Sequence, residues 1–325
     1  MDPERKNWTV LMASIAILFV VIGAVFSALY NVFTKRVLTN GWKERTSALV
    51  AIHQVLGAAL LFLTIPFTGG FQLTHGMWWP IVATGVLNIG IMYGSMRARA
   101  LEDVSLVTPI ASTTPALVII TSMFILGELP SRTGWIGIWL LVAGTYVLNI
   151  QDVRQKLSER VGAKQASSWF ARTVKTYFAP FFFLGKSRGV QWAFFACMLG
   201  AFSLNYDALV ARRTNIGFGV GCVLLIAGAG NLVIALKRRE FRGIKPVAAF
   251  RKSFGIGVLY AAALFVTNYG YRHAIVPYVG TMKRIQIPLT IILAYFILGE
   301  RKSFSDRLMG GILMALGAVL ISIGG

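Results

Sequence analysis

Long apolar stretches alternate with short polar ones along almost the whole chain. Each apolar stretch holds roughly 18–25 residues, the length at which a helix crosses about 30 Å of hydrocarbon. The segments are predicted to be helical because lipid offers their backbone groups no other partner. The ten predicted spans are residues 9–34, 46–67, 77–98, 104–127, 133–150, 189–211, 215–236, 253–274, 276–299 and 304–324. The pattern therefore predicts an all-α integral membrane protein with ten transmembrane helices.

One stretch between the fifth and sixth spans departs from this pattern. Residues 151–188 are basic and contain the aromatic-rich sequence WFARTVKTYFAPFFFLGK. Such a composition is typical of a helix that lies on the membrane surface, and a plain connector is the alternative interpretation. We therefore expect a first five-helix unit over residues 1–150, a basic linker over 151–188, and a second five-helix unit over 189–325.

Composition and charge support a membrane protein. Of the 325 residues, 56% are hydrophobic and only 14% are charged, too few to cover a soluble protein of this size. The net charge of +20 would suggest nucleic-acid binding in a soluble protein. Here most lysines and arginines follow spans 1, 3, 5, 7 and 9, as the positive-inside rule requires of cytoplasmic loops. We therefore expect both termini outside, a bacterial plasma membrane, and no nucleic-acid partner.

Motifs for other kinds of chemistry are missing from the sequence. Cys197 and Cys222 both fall inside apolar segments, where packing is a simpler role than a disulfide. No group of residues has the spacing of a metal site, so no metal or cofactor is expected. There is no Walker A loop, no HExxH motif and no nucleophile elbow. The sequence thus predicts neither an enzyme nor a transporter driven directly by ATP.

The two halves of the chain share short sequences in the same order. FILGE occurs at 124–128 and again at 296–300. Gly85-Val86-Leu87 recurs as Gly257-Val258-Leu259, and the glycines of the fifth span recur in the tenth, Gly137 as Gly310 and Gly144 as Gly317. A duplication of five spans is inverted in the membrane, because five is an odd number. Inverted repeats are typical of transporters whose site lies near mid-membrane between the halves.

The two copies of helix–LGE–helix resemble the drug/metabolite transporter superfamily, in its ten-helix EamA-like branch. The resemblance implies ten helices around a central cavity that opens alternately to each side. YNVFTKRVL at 30–38 and GTMKRI at 280–285 are similar to segments of triose-phosphate and nucleotide-sugar transporters. In the phosphate translocators a lysine–arginine pair at this place grips the phosphate. This chain has Ala111 and Thr114 where those carriers have a lysine and a glutamate, so half of that phosphate site is missing.

Lys283 and Arg284 are adjacent charges inside the ninth span. Lys283 lies about 10 Å along its helix, and a charge at such depth costs about 3 kcal/mol or more. Three interpretations stay open: snorkelling to the interface, an ion pair with Asp207, or an anion site in the cavity. The last uses the planar fork of arginine and the point charge of lysine.

Further polar residues and helix breakers in the spans complete the candidate site. The substrate-binding candidates are Lys283, Arg284, Gln286, Asn31, Asn88 and Asn205. Proton-carrying or charge-balancing candidates are Asp207 and His53, since a buried carboxylate must pair or become protonated. Candidate helix breaks or hinges are Pro109, Pro115 and Pro288. Candidate turn residues are Gly127, Glu128, Gly299 and Glu300, with each glutamate expected to cap the next helix.

These features together predict a secondary transporter that moves a small, anionic organic metabolite by alternating access. Its partners would be that metabolite, the lipid bilayer, and a coupling proton or a counter-substrate. An exporter of amino acids or amphipathic drugs is an alternative that the same resemblance implies. A non-transporting membrane subunit that handles lipid is another, because a cavity beside a basic linker also suits a lipid headgroup.

Overall fold

The fold is built from long apolar helices. A computed structural model describes residues 3–42, 44–71, 74–101, 110, 113–160, 184–185, 187–243, 246–298 and 304–324. Its helices are α1 (Pro3–Val37), α2 (Thr46–Leu63), α3 (Trp78–Leu101), α4 (Thr114–Leu126), α5 (Arg132–Arg160), α6 (Arg188–Arg213), α7 (Ile216–Lys237), α8 (Pro246–His273), α9 (Val276–Met282), α10 (Gln286–Leu298) and α11 (Phe304–Gly324). Within these ranges six segments are long and apolar enough to cross a membrane, and shorter apolar helices lie at Thr114–Leu126 and Gly310–Ile321.

Most described helices match a predicted span and differ from it at their ends, but the span predicted at 276–299 is divided between α9 and α10, and residues 104–109 and 111–112 of the fourth span lie outside the described residues. Helix α5 continues to Arg160, so residues 151–160 extend a helix instead of starting the linker. Apolarity marks only the part of a helix inside lipid, and polar residues with good helix propensity carry it beyond the bilayer. Helix α2 ends at Leu63, before the short 3₁₀ turn Ile65–Phe67. Pro66 in that turn explains the early end, because proline cannot donate to a helical carbonyl. The proposed surface helix of the linker lies outside the described residues.

Helices from the first half of the chain pack along helices from the second half. Helix α1 packs along α8, α2 along α7, α3 along α6, and α5 along α11. The paired helices run antiparallel. In the pair α3 and α6, for example, Gly90 faces Leu199 while Gly94 faces Ala196, so residue numbers increase along α3 in the direction in which they decrease along α6.

Helices α5 and α11 approach most closely at two pairs of glycines. A Cβ added at Gly137 would lie 2.6 Å from the carbonyl oxygen of Gly317. One added at Gly144 would lie 2.6 Å from the carbonyl oxygen of Gly310. Only glycine permits such backbone contact between membrane helices. Buried side chains of both helices, with others from α4, α6, α8 and α9, form the largest apolar core.

The helix ends form two opposite faces. On the basic face, residues 38–42 and 44–45 meet residues 238–243, and Arg45 Nη2 donates to the carbonyl of Arg242 at 3.2 Å. Glu240 lies on the same face and accepts a 2.9 Å hydrogen bond from the backbone N–H of Ala48, at the start of α2. We call the opposite face the clamp face. It contains residues 64–71, 127–131, 214–215 and 274–275. There Asn215 Nδ2 donates to the carbonyl of Thr68 at 2.8 Å.

Candidate functional site

A cavity of about 520 Å³ lies between the helices of the two halves. Helices α1, α2, α3, α4, α6, α7, α8, α9 and α10 all contribute to its wall, together with the turn between α9 and α10. Its polar lining residues are Ser27, Tyr30, Asn31, Gln54, Asn88, Ser95, Thr114, Cys197, Ser203, Asp207, Tyr260, Thr267, Asn268, Lys283, Arg284 and Gln286. Two cations and one carboxylate in this wall give the cavity a net positive charge.

The cations lie where the ninth apolar segment changes its helical form. Helix α9 ends at Met282, residues Lys283–Ile285 form a 3₁₀ turn, and α10 begins at Gln286. Pro288 lacks the N–H that would bond to the carbonyl of Arg284 in a continuous helix, and its ring crowds that carbonyl. A single proline thus explains why the helix tightens at the residues that line the cavity.

Among the residues that the structure describes, no carboxylate lies within ion-pair distance of Lys283 or Arg284, which both line the cavity. Among the described residues, the ion pair within 4 Å is the one between Arg212 and Glu128, which includes neither Lys283 nor Arg284. The Lys283 ammonium lies 5.9 Å from the centroid of the Tyr271 ring. Asp207 is close enough to attract Lys283 electrostatically, but the two do not form a salt bridge. The two cations are therefore available to a ligand.

Asp207 is held by hydroxyl groups from the neighbouring helices. Thr84 Oγ1 donates to Asp207 Oδ1 at 2.6 Å and lies 2.8 Å from Ser203 Oγ. Asn88 Nδ2 donates to the carbonyl of Thr84 at 2.9 Å and reaches Ser203 Oγ at 3.3 Å. This polar cluster ties α3 to α6 and presents a carboxylate to the same cavity as Lys283.

Another part of the cavity wall carries aromatic and amide side chains. Tyr30 and Tyr260 have ring centroids 4.9 Å apart, and both line the cavity. Gln54 accepts a 3.0 Å hydrogen bond from Asn231 Nδ2, which joins α2 to α7. Asn31 Nδ2 lies 3.5 Å from Thr290 Oγ1 and so connects α1 to α10. The amide of Asn31 borders the cavity just beside the cationic turn.

Two candidates from the sequence lie behind the wall and do not line the cavity. Asn205 is fully buried, and its amide nitrogen donates to Thr121 Oγ1 at 2.8 Å and to the carbonyl of Ala201 at 2.9 Å. His53 is buried, with Nδ1 2.8 Å from the carbonyl of Leu49 and Nε2 3.2 Å from the Tyr30 hydroxyl. Both side chains connect helices, and His53 positions a tyrosine that does line the cavity.

The other candidate helix breaks differ in position. Pro115 lies in the first turn of α4, where its missing N–H costs this helix no hydrogen bond. Pro109, Gly299 and Glu300 fall outside the described residues.

The first LGE turn differs from the expectation in the helix that it caps. Gly127 ends α4 with φ +67°, the left-handed conformation that glycine adopts without strain. Glu128 Oε2 accepts a 2.7 Å hydrogen bond from the backbone N–H of Val276, the first residue of α9. The next helix, α5, is capped instead by Ser131, whose Oγ accepts from the N–H of Gly134 at 3.0 Å. The expectation that Glu128 caps the next helix is therefore wrong, because tertiary packing brings α9 closer to it.

Sequence reasoning missed several hydroxyl-bearing residues of the site. Ser27, Tyr30, Ser203 and Tyr260 line the cavity, and Thr84 lies behind the wall, where it binds Asp207. Hydroxyl groups are common in membrane helices, where they often bond to their own backbone, so nothing in the sequence distinguishes those that face a cavity. To identify these residues from the sequence, one would have to predict which face of each helix points into the cavity.

Comparisons with known proteins agree with this geometry. Residues 14–150 match the model of the EamA-like transporter family. A solved crystal structure resembles this fold with a TM-score of 0.65 and 18% sequence identity, over 97% of this chain and 96% of that one. No curated protein matches the chain. Residues 14–150 are therefore similar to a family of membrane transporters, and the long apolar helices are of a length that can cross a membrane.

Proposed function

We propose that the chain is a secondary transporter that moves a small, anionic organic solute across the membrane by alternating access. The observation that carries this proposal is the pair Lys283 and Arg284. Both side chains line one cavity, and neither has a carboxylate within ion-pair distance among the described residues. Charges at this depth are costly, and a bound anion would offset that cost by charge-assisted hydrogen bonds.

The proposal includes ten spans arranged as two inverted repeats. The packing pattern supports this arrangement. If each helix is replaced by its counterpart in the other half, five spans away, the pair α1 and α8 becomes the pair α6 and α3, which also packs together. The same exchange leaves the pairs α2 with α7 and α5 with α11 unchanged. It also turns the contact of Gly137 with Gly317 into that of Gly310 with Gly144. A two-fold relation between the halves would let the cavity open toward either side by the same motion.

The proposed unit boundaries are residues 1–150 and 189–325, with the basic linker between them. The proposed orientation places the basic face in the cytoplasm and the termini outside, in a bacterial plasma membrane. A coupling proton or a counter-substrate would supply the driving force. Asp207 is the candidate for balancing charge, because its carboxylate lines the same cavity as Lys283 and Arg284.

The test is thermal stabilisation of the purified protein by a panel of solutes. The panel contains phosphate, sugar phosphates, nucleotide sugars, carboxylates and amino acids. A ligand at about 100 times its Kd stabilises the folded state by about 2.7 kcal/mol. We expect an anion to raise the unfolding temperature of the wild type but not of the Lys283→Gln/Arg284→Gln variant.

A matched control for this experiment exists in the same chain. Lys237 and Arg238 are also adjacent, but both are exposed on the basic face. The Lys237→Gln/Arg238→Gln variant loses the same charge and should keep the full anion-dependent shift. If the shift survives in the Lys283→Gln/Arg284→Gln variant, these residues are not the anion site.

A second candidate function is export of a zwitterionic solute such as an amino acid. The observation that favours it is Asp207, which places a carboxylate in the same cavity as the two cations. In that case Asp207→Asn should abolish the shift produced by amino acids and leave any shift produced by simple anions. An unchanged amino-acid shift in Asp207→Asn would exclude this candidate.

A further inference from the structure

The ends of α6 and α8 are joined on the clamp face by two arginines that cap each other's helix. Arg212 lies one residue before the end of α6. Its Nε donates to the carbonyl of Tyr271 at 2.8 Å, and its Nη2 donates to the carbonyl of Ala274 at 3.0 Å. Both carbonyls belong to the last turn of α8 or follow it, where they have no helical donor. Arg212 therefore satisfies the end of a helix other than its own.

Arg272 makes the reciprocal arrangement. Its Nε donates to the carbonyl of Ala211 at 2.7 Å, and its Nη2 donates to the carbonyl of Thr214 at 2.6 Å. Each arginine thus binds the carbonyl one residue before the other arginine and the carbonyl two residues after it. Positive charge at a helix C-terminus is also favourable for the helix dipole. The two helix ends are held by four charge-assisted hydrogen bonds.

Glu128 connects this pair of helices to two more. Its Oε1 lies 2.6 Å from Arg212 Nη1 in an ion pair, and its Oε2 accepts from the N–H of Val276. Glu128 lies two residues after the end of α4 and bonds to the first residue of α9. We call Glu128, Arg212 and Arg272 the arginine clamp. It joins the ends of α4, α6 and α8 to the start of α9.

The arginine clamp lies where the cavity ends. On this side the cavity wall reaches Val210, two residues before Arg212, and Gly280, one turn after the start of α9. Toward the basic face the wall reaches Ser95, six residues before the end of α3, and Ala193, five residues after the start of α6. The arginine clamp therefore lies directly beyond the end of the cavity on the clamp face.

We propose that the arginine clamp is the gate of the clamp face, and that it must break each time the cavity opens to that side. Its hydrogen bonds join helix ends, so they can separate while each helix stays intact. The released carbonyls and guanidinium groups lie at a membrane surface, where water can replace the lost bonds. Such an element has two discrete arrangements, as a conformational switch requires. The inference rests on alternating access in the proposed function, but not on the identity of the solute.

The experiment measures the access of water to one cavity position from each side of the membrane. In a Cys197→Ser/Cys222→Ser background, Ser27→Cys places a single thiol on the cavity wall with nearly the same shape as the native side chain. A membrane-impermeant maleimide is added to sealed vesicles of each orientation, and the labelling rates are compared. With the clamp intact, we expect labelling from the basic face and little from the clamp face.

Breaking the clamp should reverse this preference. We expect Arg212→Gln to raise the labelling rate from the clamp face at least about tenfold, the effect of losing one charge-assisted hydrogen bond. Labelling from the basic face should fall. Arg213→Gln is the matched control, because Arg213 is the next residue and makes none of the clamp's hydrogen bonds. It should leave both rates unchanged.

A second variant keeps the test decisive if Arg212→Gln does not reach the membrane. Glu128→Gln removes the ion pair but keeps an oxygen that can accept from Val276, and it should shift the two rates in the same direction by a smaller factor. Unchanged rates in this variant and in Arg272→Gln would overturn the gate. Because labelling needs no solute, a failed gate and a failed anion site are separate results.

Discussion

Thr84 donates a 2.6 Å hydrogen bond to Asp207 across the interface of α3 and α6. The threonine is fully buried, so no water replaces its hydroxyl if it is removed. A buried polar group that loses its partner costs about 1–3 kcal/mol. We therefore expect Thr84→Val to lower the free energy of unfolding by about that amount, as measured by the unfolding temperature in detergent.

The control for this prediction is Thr145→Val in α5. Thr145 is equally buried, but its hydroxyl donates at 2.8 Å to Leu141, a carbonyl of its own helix, and otherwise lies near a sulfur. In Thr145→Val no carboxylate loses a hydrogen-bond donor, so the unfolding temperature should fall less than in Thr84→Val. Equal losses for the two variants would show that Asp207 does not depend on Thr84.

The glycine contact between α5 and α11 gives a second prediction. Gly137→Ala would place a Cβ 2.6 Å from a backbone carbonyl of α11, and the helices must move apart to admit it. Overpacking of this kind costs about 1–3 kcal/mol. Gly255→Ala is the control, because a Cβ there meets nothing within 4 Å and alanine favours a helix by about 0.5–1 kcal/mol. A Gly137→Ala variant as stable as Gly255→Ala would contradict the close packing.

Glu240 gives a third prediction, on the basic face. Its carboxylate caps the first turn of α2 through the N–H of Ala48, and the side chain is only 7% exposed. Loss of an N-terminal cap costs about 0.5–2 kcal/mol, so Glu240→Ala should lower the unfolding temperature. Glu44→Ala removes an exposed carboxylate from the same face and should change it little. The two variants should differ in stability although they change net charge equally.

Pro288 gives a fourth prediction, which separates stability from transport. Pro288→Ala restores the N–H that a continuous helix would offer to the carbonyl of Arg284. We expect the 3₁₀ turn at Lys283–Ile285 to become α-helical and the two cations to move relative to the cavity. The unfolding temperature should be maintained or rise, while the transport rate in vesicles falls several-fold. A variant with unaltered transport would show that the turn is not needed by the site.

Much of the fold could be predicted from the chain alone because lipid imposes a strong rule. A segment in hydrocarbon must satisfy its own backbone, so apolar length fixes a helix within a few residues. The predicted spans at 189–211 and 215–236 correspond to α6 and α7, which end within three residues of those limits. The same rule made Lys283 and Arg284 visible, since charges are costly in such segments.

The faces of the helices could not be predicted in the same way. Asn205 and Asn88 are both asparagines in apolar spans, yet Asn88 lines the cavity and Asn205 lies behind it, bonded to α4. Both spans are apolar around nearly their whole circumference, because lipid and protein neighbours are equally apolar. Hydrophobic periodicity therefore does not mark an inward face, as it would in a soluble protein.

The sequence by itself determined which segments are helices, where the charges lie along them, and that the two halves share motifs. Only the tertiary structure decided which residues meet. It brought Glu128 to the start of α9 instead of α5, and it set Arg212 and Arg272 against each other's helix ends. Such partners are far apart in the chain, and their hydrogen bonds depend on helix packing, which leaves no local pattern in the sequence.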